Sequence, residues 1–287
     1  MSEESKRAPR SCPACGSDRS RWAFTTRGYP HVRCLACDSL YVSPLPTEAE
    51  IRAVYEDAGY HAGVEESEER MRREARARAE ILRQRGCRHV LELGSGAGYF
   101  LEACEEAGMR AEGVDAGPTG ALAESRGLTI HRTWIDDFEP SEQYDAVAMF
   151  ELLEHLPEPV TLLERVHGWT REGGTLALST PSSTGIPARA LGRRFPLITP
   201  PEHLELFSHQ GLGTLVTRGG FQPFRWTSFS NLDAEKLDNG FRRYLLGSSK
   251  PAGWLARVLG VAAAAPVRWI DRMGFGISFE MYAEPFR

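Results

Sequence analysis

The stretch Val90-Leu91-Glu92-Leu93-Gly94-Ser95-Gly96-Ala97-Gly98-Tyr99-Phe100 constrains the fold of this chain more than any other. Its first residues form a short apolar run of the kind that makes a parallel strand buried on both faces. The run breaks into three glycines at alternate positions, Gly94, Gly96 and Gly98. Strand, glycine turn, then helix is the arrangement of a ligand loop. Glycine accepts positive φ and lets backbone N–H groups approach a bound group, while the next helix points its N-terminus at it. The dinucleotide fingerprint Gly-x-Gly-x-x-Gly/Ala would put a small residue at position 99, where this chain has Tyr99. A plain strand-to-helix connector is the alternative.

A βα alternation follows. Ala111-Glu112-Gly113-Val114-Asp115 reads as a second strand with a carboxylate at its C-terminal end, one helix and one strand beyond Gly98. Adjacent parallel strands bring their carboxyl ends side by side, so Asp115 can reach the ribose hydroxyls of a nucleoside held by the loop. A helix near Ala121–Arg126, a strand near Leu128–Ile130 and a buried strand Tyr144–Phe150 continue the pattern. Next come an amphipathic helix through Trp169, a turn at Arg171–Gly174 and a strand Thr175–Ser179. Residues 182–202, rich in Ser, Gly, Pro and Arg, are long enough for a substrate lid. A helix to about Gly219, a strand Phe221–Phe229, a helical insertion over 231–272 and a final strand Gly274–Tyr282 complete the expectation.

Four of the six cysteines form two knuckles, Cys12-Pro-Ala-Cys15 and Cys34-Leu-Ala-Cys37. Two turns that each offer a pair of thiolates satisfy tetrahedral Zn²⁺, and neither lies in the strand-to-helix context of a redox motif. Residues 1–46 therefore read as a zinc ribbon whose metal supplies its folding energy, because a segment this small lacks an apolar core. Cys87 and Cys104 read as packing residues. Between ribbon and core, residues 47–85 form a helical linker. It holds a capping box at Thr47 and Glu50, the aromatics Tyr55 and Tyr60, and a run of Glu, Arg and Ala from Glu65 to Arg85 expected to be a solvated helix pinned by Ile81 and Leu82.

A net charge of −5 argues against a nonspecific nucleic-acid binder. The polar start MSEESKRAPR lacks the apolar core of a signal peptide, so a cytoplasmic protein is expected. Trp254–Ile270, interrupted by Arg257, Pro266 and Arg268, fits a buried or interfacial helix better than a membrane span. The sequence leaves the oligomeric state open.

Taken together, these residues resemble the class I S-adenosylmethionine (SAM)-dependent methyltransferases over residues 86–287. The marks are ELGSGAG, the acid of GVD, the YDAV…ELLEHL stretch, the REGG turn before LALSTPSS, and PEHLELFS. The chain is similar to the branch containing ubiquinone-pathway O-methyltransferases, and many bacterial members of related groups carry an N-terminal zinc ribbon. The resemblance implies an α/β, Rossmann-like seven-stranded sheet in which only the last strand is antiparallel, with the ribbon and a helical cap added. It implies that Glu92, Gly94, Ser95, Gly96 and Gly98 hold the methionyl end of SAM and Asp115 its ribose. Ile135 and Asp136 would border the adenine, with Phe150 also on the cofactor side. The substrate would be a small, partly apolar molecule accepting methyl on a hydroxyl or a carbon acid.

Glu151-x-x-Glu154-His155 supplies the catalytic candidates. On a helical turn, i, i+3 and i+4 share a face. His155, with a pKa near neutrality, could be a general base. Alternatively Glu151, Glu154 and His155, with His203, bind Mg²⁺ or another divalent ion that acidifies a substrate hydroxyl, as similar arrangements do in ubiquinone-pathway and plant small-RNA O-methyltransferases; the third reading is structural, since Glu-His-Leu packs the strand end in metal-independent relatives. An RNA methyltransferase reading its substrate through the ribbon, a sugar C-methyltransferase, and a SAM-binding scaffold without catalysis are the competing readings.

Overall fold

A computed structural model describes residues 7–56, 68–230, 266–267 and 269–286. The expected insertion over 231–272 falls almost wholly outside them, as do Tyr60 and the side chain of Tyr55.

The N-terminal segment makes three antiparallel strands, β1 (Ser20–Thr26), β2 (Tyr29–Cys34) and β3 (Leu40–Val42). The capping box forms: Glu50 N–H donates to Thr47 Oγ1 at 3.2 Å and Thr47 N–H to Glu50 Oε2 at 2.7 Å, opening helix α1 (Glu48–Glu56).

Helix α2 (Glu68–Gln84) carries the expected i,i+4 pairs Arg70–Glu74 and Arg72–Glu68. It is not a simply solvated helix, however. Ala75, Ala79 and Leu82 are buried against the core, and Arg78 projects from the same stripe.

The core alternates β4 (His89–Leu93), α3 (Tyr99–Glu106), β5 (Arg110–Val114), α4 (Pro118–Ser125), β6 (Ile130–His131), β7 (Tyr144–Phe150), α5 (Pro159–Trp169) and β8 (Thr170–Pro181). Its five strands pair in parallel in the order β8-β7-β4-β5-β6. Residues Arg171–Gly174, expected as a turn, lie within β8. Pairing with β7 jumps from Tyr144↔Thr170 to Ala146↔Thr175, so these residues bulge out of a ladder that continues on both sides. Beyond β8 come α6 (Ile186–Leu191), the two-residue β9 (Glu205–Leu206), α7 (His209–Arg218), β10 (Phe221–Phe229) and β11 (Ser278–Pro285). Strand β11 starts at Ser278, later than expected, and runs antiparallel between β8 and β10. The expected seven-stranded sheet with one reversed strand is thus present.

Helices α2 and α3 cover one face of the sheet, and α5 and α7 the other. The ribbon docks on the second face, where Cys12, Cys34, Cys37 and Tyr41 share a buried cluster with Phe207 and Leu212. Two features tie it down. Strand β9 adds to β3 as the fourth strand of the ribbon sheet. The 182–202 segment also has structure of its own: Ala188, Phe195 and Ile198 pack on Leu40 and Leu206, and Arg189 pairs with Asp38.

Glu205 of β9 is fully enclosed, and burial pushes its carboxyl up to about 8 although Arg10 Nη2 lies 3.3 Å away. A carboxyl that holds its proton more tightly folded than unfolded stabilises the fold below its unfolded pKa. That contribution disappears as pH rises through the folded value. Glu205→Gln should therefore flatten the decline in urea stability of the ligand-free protein between about pH 4.5 and 8, by about 5 kcal/mol as an upper bound. A variant whose slope matches the wild type would show that Glu205 is ionised in the fold.

Candidate active site

The glycine loop is built by β4, all five of whose residues are buried. Gly94, Gly96 and Gly98 have φ of 71°, 50° and 77°. Gly94 N–H donates to Val114 O at 2.9 Å and Gly98 N–H to Ser95 O at 2.9 Å, folding the loop back over the end of β5. Asp115 closes it, accepting from Gly96 N–H at 2.7 Å and from Gly117 N–H at 2.8 Å. Glycine loop and strand-end acid are one unit.

Two buried polar atoms there, Glu92 Oε2 and Ser95 Oγ, have no partner among the described residues. Burial drives the Glu92 carboxyl well above the ordinary carboxylate range, countered by Arg78. Orphaned buried groups of this kind mark where a ligand supplies the missing partner. A Cβ on Gly96 would meet nothing within 4 Å, so the loop leaves open space at its tip. These features fit SAM, whose methionyl end carries a cationic centre and hydrogen-bond donors. Ile135, half-buried, and Asp136, exposed, lie in a 3₁₀ turn Ile135–Asp137 following β6.

Phe150 stands at the end of β7, edge-on to Phe100 at 5.0 Å. Above it lies the Arg78 guanidinium, 4.0 Å from the ring centre, with Nε donating to Glu280 Oε2 at 2.8 Å. Arg78 is absent from the sequence-derived site. One signal could have found it: positions 75, 78, 79 and 82 form an i, i+3, i+4, i+7 stripe, and an arginine inside an apolar stripe calls for a buried partner.

Glu151 does not share a helical turn with Glu154 and His155, as the spacing suggested. It has a φ of 50° at the strand end, and only Leu153–His155 form a 3₁₀ turn. Its Oε1 accepts from Ser179 Oγ at 2.8 Å. Glu154, entirely buried, accepts from Thr180 Oγ1 at 2.9 Å through Oε2 and leaves Oε1 without a donor.

The two histidines meet here from separate segments, their rings 4.7 Å apart at 79°. His155 Nδ1 faces Glu202 O at 3.1 Å and His203 Nδ1 faces Leu197 O at 2.7 Å. Carbonyls only accept, so each of these Nδ1 atoms carries a proton. His155 Nε2 is 3.9 Å from Glu154 Oε1, and one donor atom from each of Glu154, His155 and His203 lies within 4.8 Å of the others. Burial, reinforced by His203, lowers the His155 pKa to about 3. The near-neutral base expected from sequence is therefore an imidazole that stays unprotonated. Two imidazoles held at Nδ1 by carbonyls stand beside a carboxyl that burial, then the neighbouring Glu151, push well above the ordinary carboxylate range; together they are a donor set of the kind that fits a divalent ion.

In the ribbon, Cys12 and Cys37 sulfurs lie 3.6 Å apart and those of Cys15 and Cys34 3.5 Å apart, all four thiols free. Tetrahedral Zn²⁺ with bonds of about 2.3 Å separates its sulfurs by about 3.8 Å, so the cluster is compatible with zinc.

Reversed seventh strand, glycine loop and strand-end acid define the class I methyltransferase fold. A family model described as a methyltransferase domain matches residues 65–224, and the chain belongs to that family.

Among curated proteins it is similar to the ubiquinone biosynthesis O-methyltransferase of Actinobacillus pleuropneumoniae serotype 7, 33% identical over 109 residues, or 33% of this chain and 46% of the relative. The enzyme of that name from Nitrobacter winogradskyi is 27% identical over 173 residues, 52% of this chain and 66% of the relative. The chain thus spans about half the length of the first of these relatives. Among solved structures, the complex between the Haloferax volcanii Trm112 methyltransferase activator and its methyltransferase aligns with a TM-score of 0.56 at 17% identity, covering 83% of this chain and 98% of that one. A SAM-dependent methyltransferase from Archaeoglobus fulgidus aligns at 0.51 and 21% identity, covering 74% and 94%. These likenesses speak to fold alone. Among the described residues no helix is long and apolar enough to cross a membrane.

Proposed function

We propose that the protein methylates a hydroxyl of a small, partly apolar metabolite, with Glu154, His155 and His203 holding a divalent ion beside the cofactor loop. The supporting observation is the buried convergence of one donor atom each from Glu154, His155 and His203, with the Nδ1 atoms of both histidines held by carbonyls. Such an ion lowers the pKa of a bound hydroxyl. SAM supplies the methyl group on its sulfonium. The chain's own residues then have definite tasks. The glycine loop and Glu92 would orient the amino-acid end of the cofactor, Asp115 would hold its ribose, and Arg78, above Phe150, would pair with its carboxylate. Glu151, at the mouth of the site, borders the incoming substrate. Burial keeps the His155 imidazole unprotonated and makes it a weak base. The ubiquinone-pathway similarity supports oxygen over carbon as acceptor. In this reading residues 1–46 are the ribbon, 47–85 the linker and 86–287 the methyltransferase unit.

The test pairs a panel of catechols as probe acceptors with mass detection of methylated products, before and after chelation and with Mg²⁺ or Mn²⁺ restored. His155→Ala and His203→Ala should bind S-adenosylhomocysteine normally and lose turnover by on the order of 10²-fold or more. Activity that survives chelation, with only the ribbon metal present, would sink the ion.

A further inference from the structure

We infer that the ribbon is a positioning element of the active site: Arg10 and the β3–β9 pairing hold the His155 and His203 segments in register with each other. The inference rests on the proposed role of that histidine pair, but its geometry stands independently. Leu204, next to His203, is the joint. Its carbonyl accepts from Val42 N–H of ribbon strand β3 at 2.8 Å, and its N–H donates to Glu154 O at 2.8 Å. One residue thus couples the ribbon sheet to the turn that carries Glu154 and His155.

Arg10 makes the same connection through its side chain. Nε donates to Val42 O at 2.9 Å, Nη1 to Pro157 O at 3.0 Å and Nη2 to Glu205 Oε2 at 3.3 Å. Pro157 follows His155 by two residues, and Glu205 follows His203 by two. The rigid guanidinium fork therefore spans the ribbon and both histidine segments at once, which a point charge on a flexible stem could not do. The second knuckle adds to the hold. Ser208 N–H donates to Ser39 Oγ at 3.1 Å, and Ser208 Oγ donates to the carbonyl of Cys37. A cap that merely covered an apolar face would not need polar contacts to both halves of the histidine pair.

The test compares wild type, Arg10→Met and the double variant Arg10→Met/Glu205→Leu as full-length chains carrying their ribbon metal. The double variant removes the carboxyl that Arg10 leaves behind, so it restores stability should the single variant fold poorly. The signature is the ¹⁵N and ¹H ring signals of His155 and His203, assigned from His→Gln variants and read with no acceptor present. Both variants should shift these signals while S-adenosylhomocysteine affinity stays within about two-fold, as for sites that share no partner. Ring signals in the double variant that superimpose on wild type would overturn the inference. Shifts matched by a proportional loss of cofactor affinity would overturn it too, since they would report a general loosening. Because no turnover is measured, a failure of the proposed reaction leaves this readout intact.

Discussion

Gly98→Ala is expected to destabilise the protein by about 2–5 kcal/mol and to weaken S-adenosylhomocysteine binding more than tenfold. Two costs add. A side chain at a φ of 77° meets the left-handed penalty of about 1–2 kcal/mol. The new methyl would also stand 2.4 Å from Leu128 Cδ1 and 3.0 Å from Ala123 Cβ. Leu128 can swing aside, but Ala123 is attached to the backbone of α4, so the loop or the helix must move, at an overpacking cost of about 1–3 kcal/mol. Either displacement shifts the N-terminus of α3 and the loop held by Asp115. Gly96→Ala is the informative contrast. Its Cβ meets nothing within 4 Å, so stability should fall only by the backbone penalty while the methyl occupies the open space at the loop tip. Urea denaturation and calorimetry of both variants separate the effects. Equal losses of stability would refute the packing argument.

Cys37→Ser should abolish ribbon metal and unfold the N-terminal segment. The ribbon strands are short, and the cluster that holds them is built around four thiols. Proximity to Cys12 lowers the Cys37 thiol to about 5, so it is ready to bind as thiolate. Structural zinc supplies on the order of 10 kcal/mol of folding free energy in small zinc modules. The loss should spread into the catalytic domain, because Ser208 and Leu204 lose their ribbon partners. Metal analysis should fall from one zinc per chain to none, with new proteolytic cuts within residues 7–46. Cys104→Ala, equally buried but alone on α3, should cost about 1 kcal/mol and leave the metal unchanged. Full zinc content in Cys37→Ser would remove it from the ligand set.

The glycine loop and its strand-end acid were legible in the chain because they are local. A buried strand, three glycines and an acid one βα unit later are neighbours along the sequence and, through parallel pairing, in space. The two knuckles were legible for the same reason. The bulge within β8 was not, since whether Arg171–Gly174 turns or stays in the sheet depends on pairing with β7. Likewise, the spacing of Glu151, Glu154 and His155 suggested a helical turn, and strand β7 is followed by a positive-φ residue instead.

The sequence by itself determined the fold class, the glycine loop with its acid and the four thiols, because hydrophobic period, glycine placement and ligand spacing act over short range. Only the tertiary structure decided what those parts face. It put Arg78 over Phe150, brought His203 to His155 from 48 residues away, and bound the ribbon to the histidine segments through β9 and Arg10. It also decided the character of His155. The same imidazole is near neutral in water and falls to about 3 once enclosed, because desolvation penalises its charged form and no sequence pattern measures enclosure.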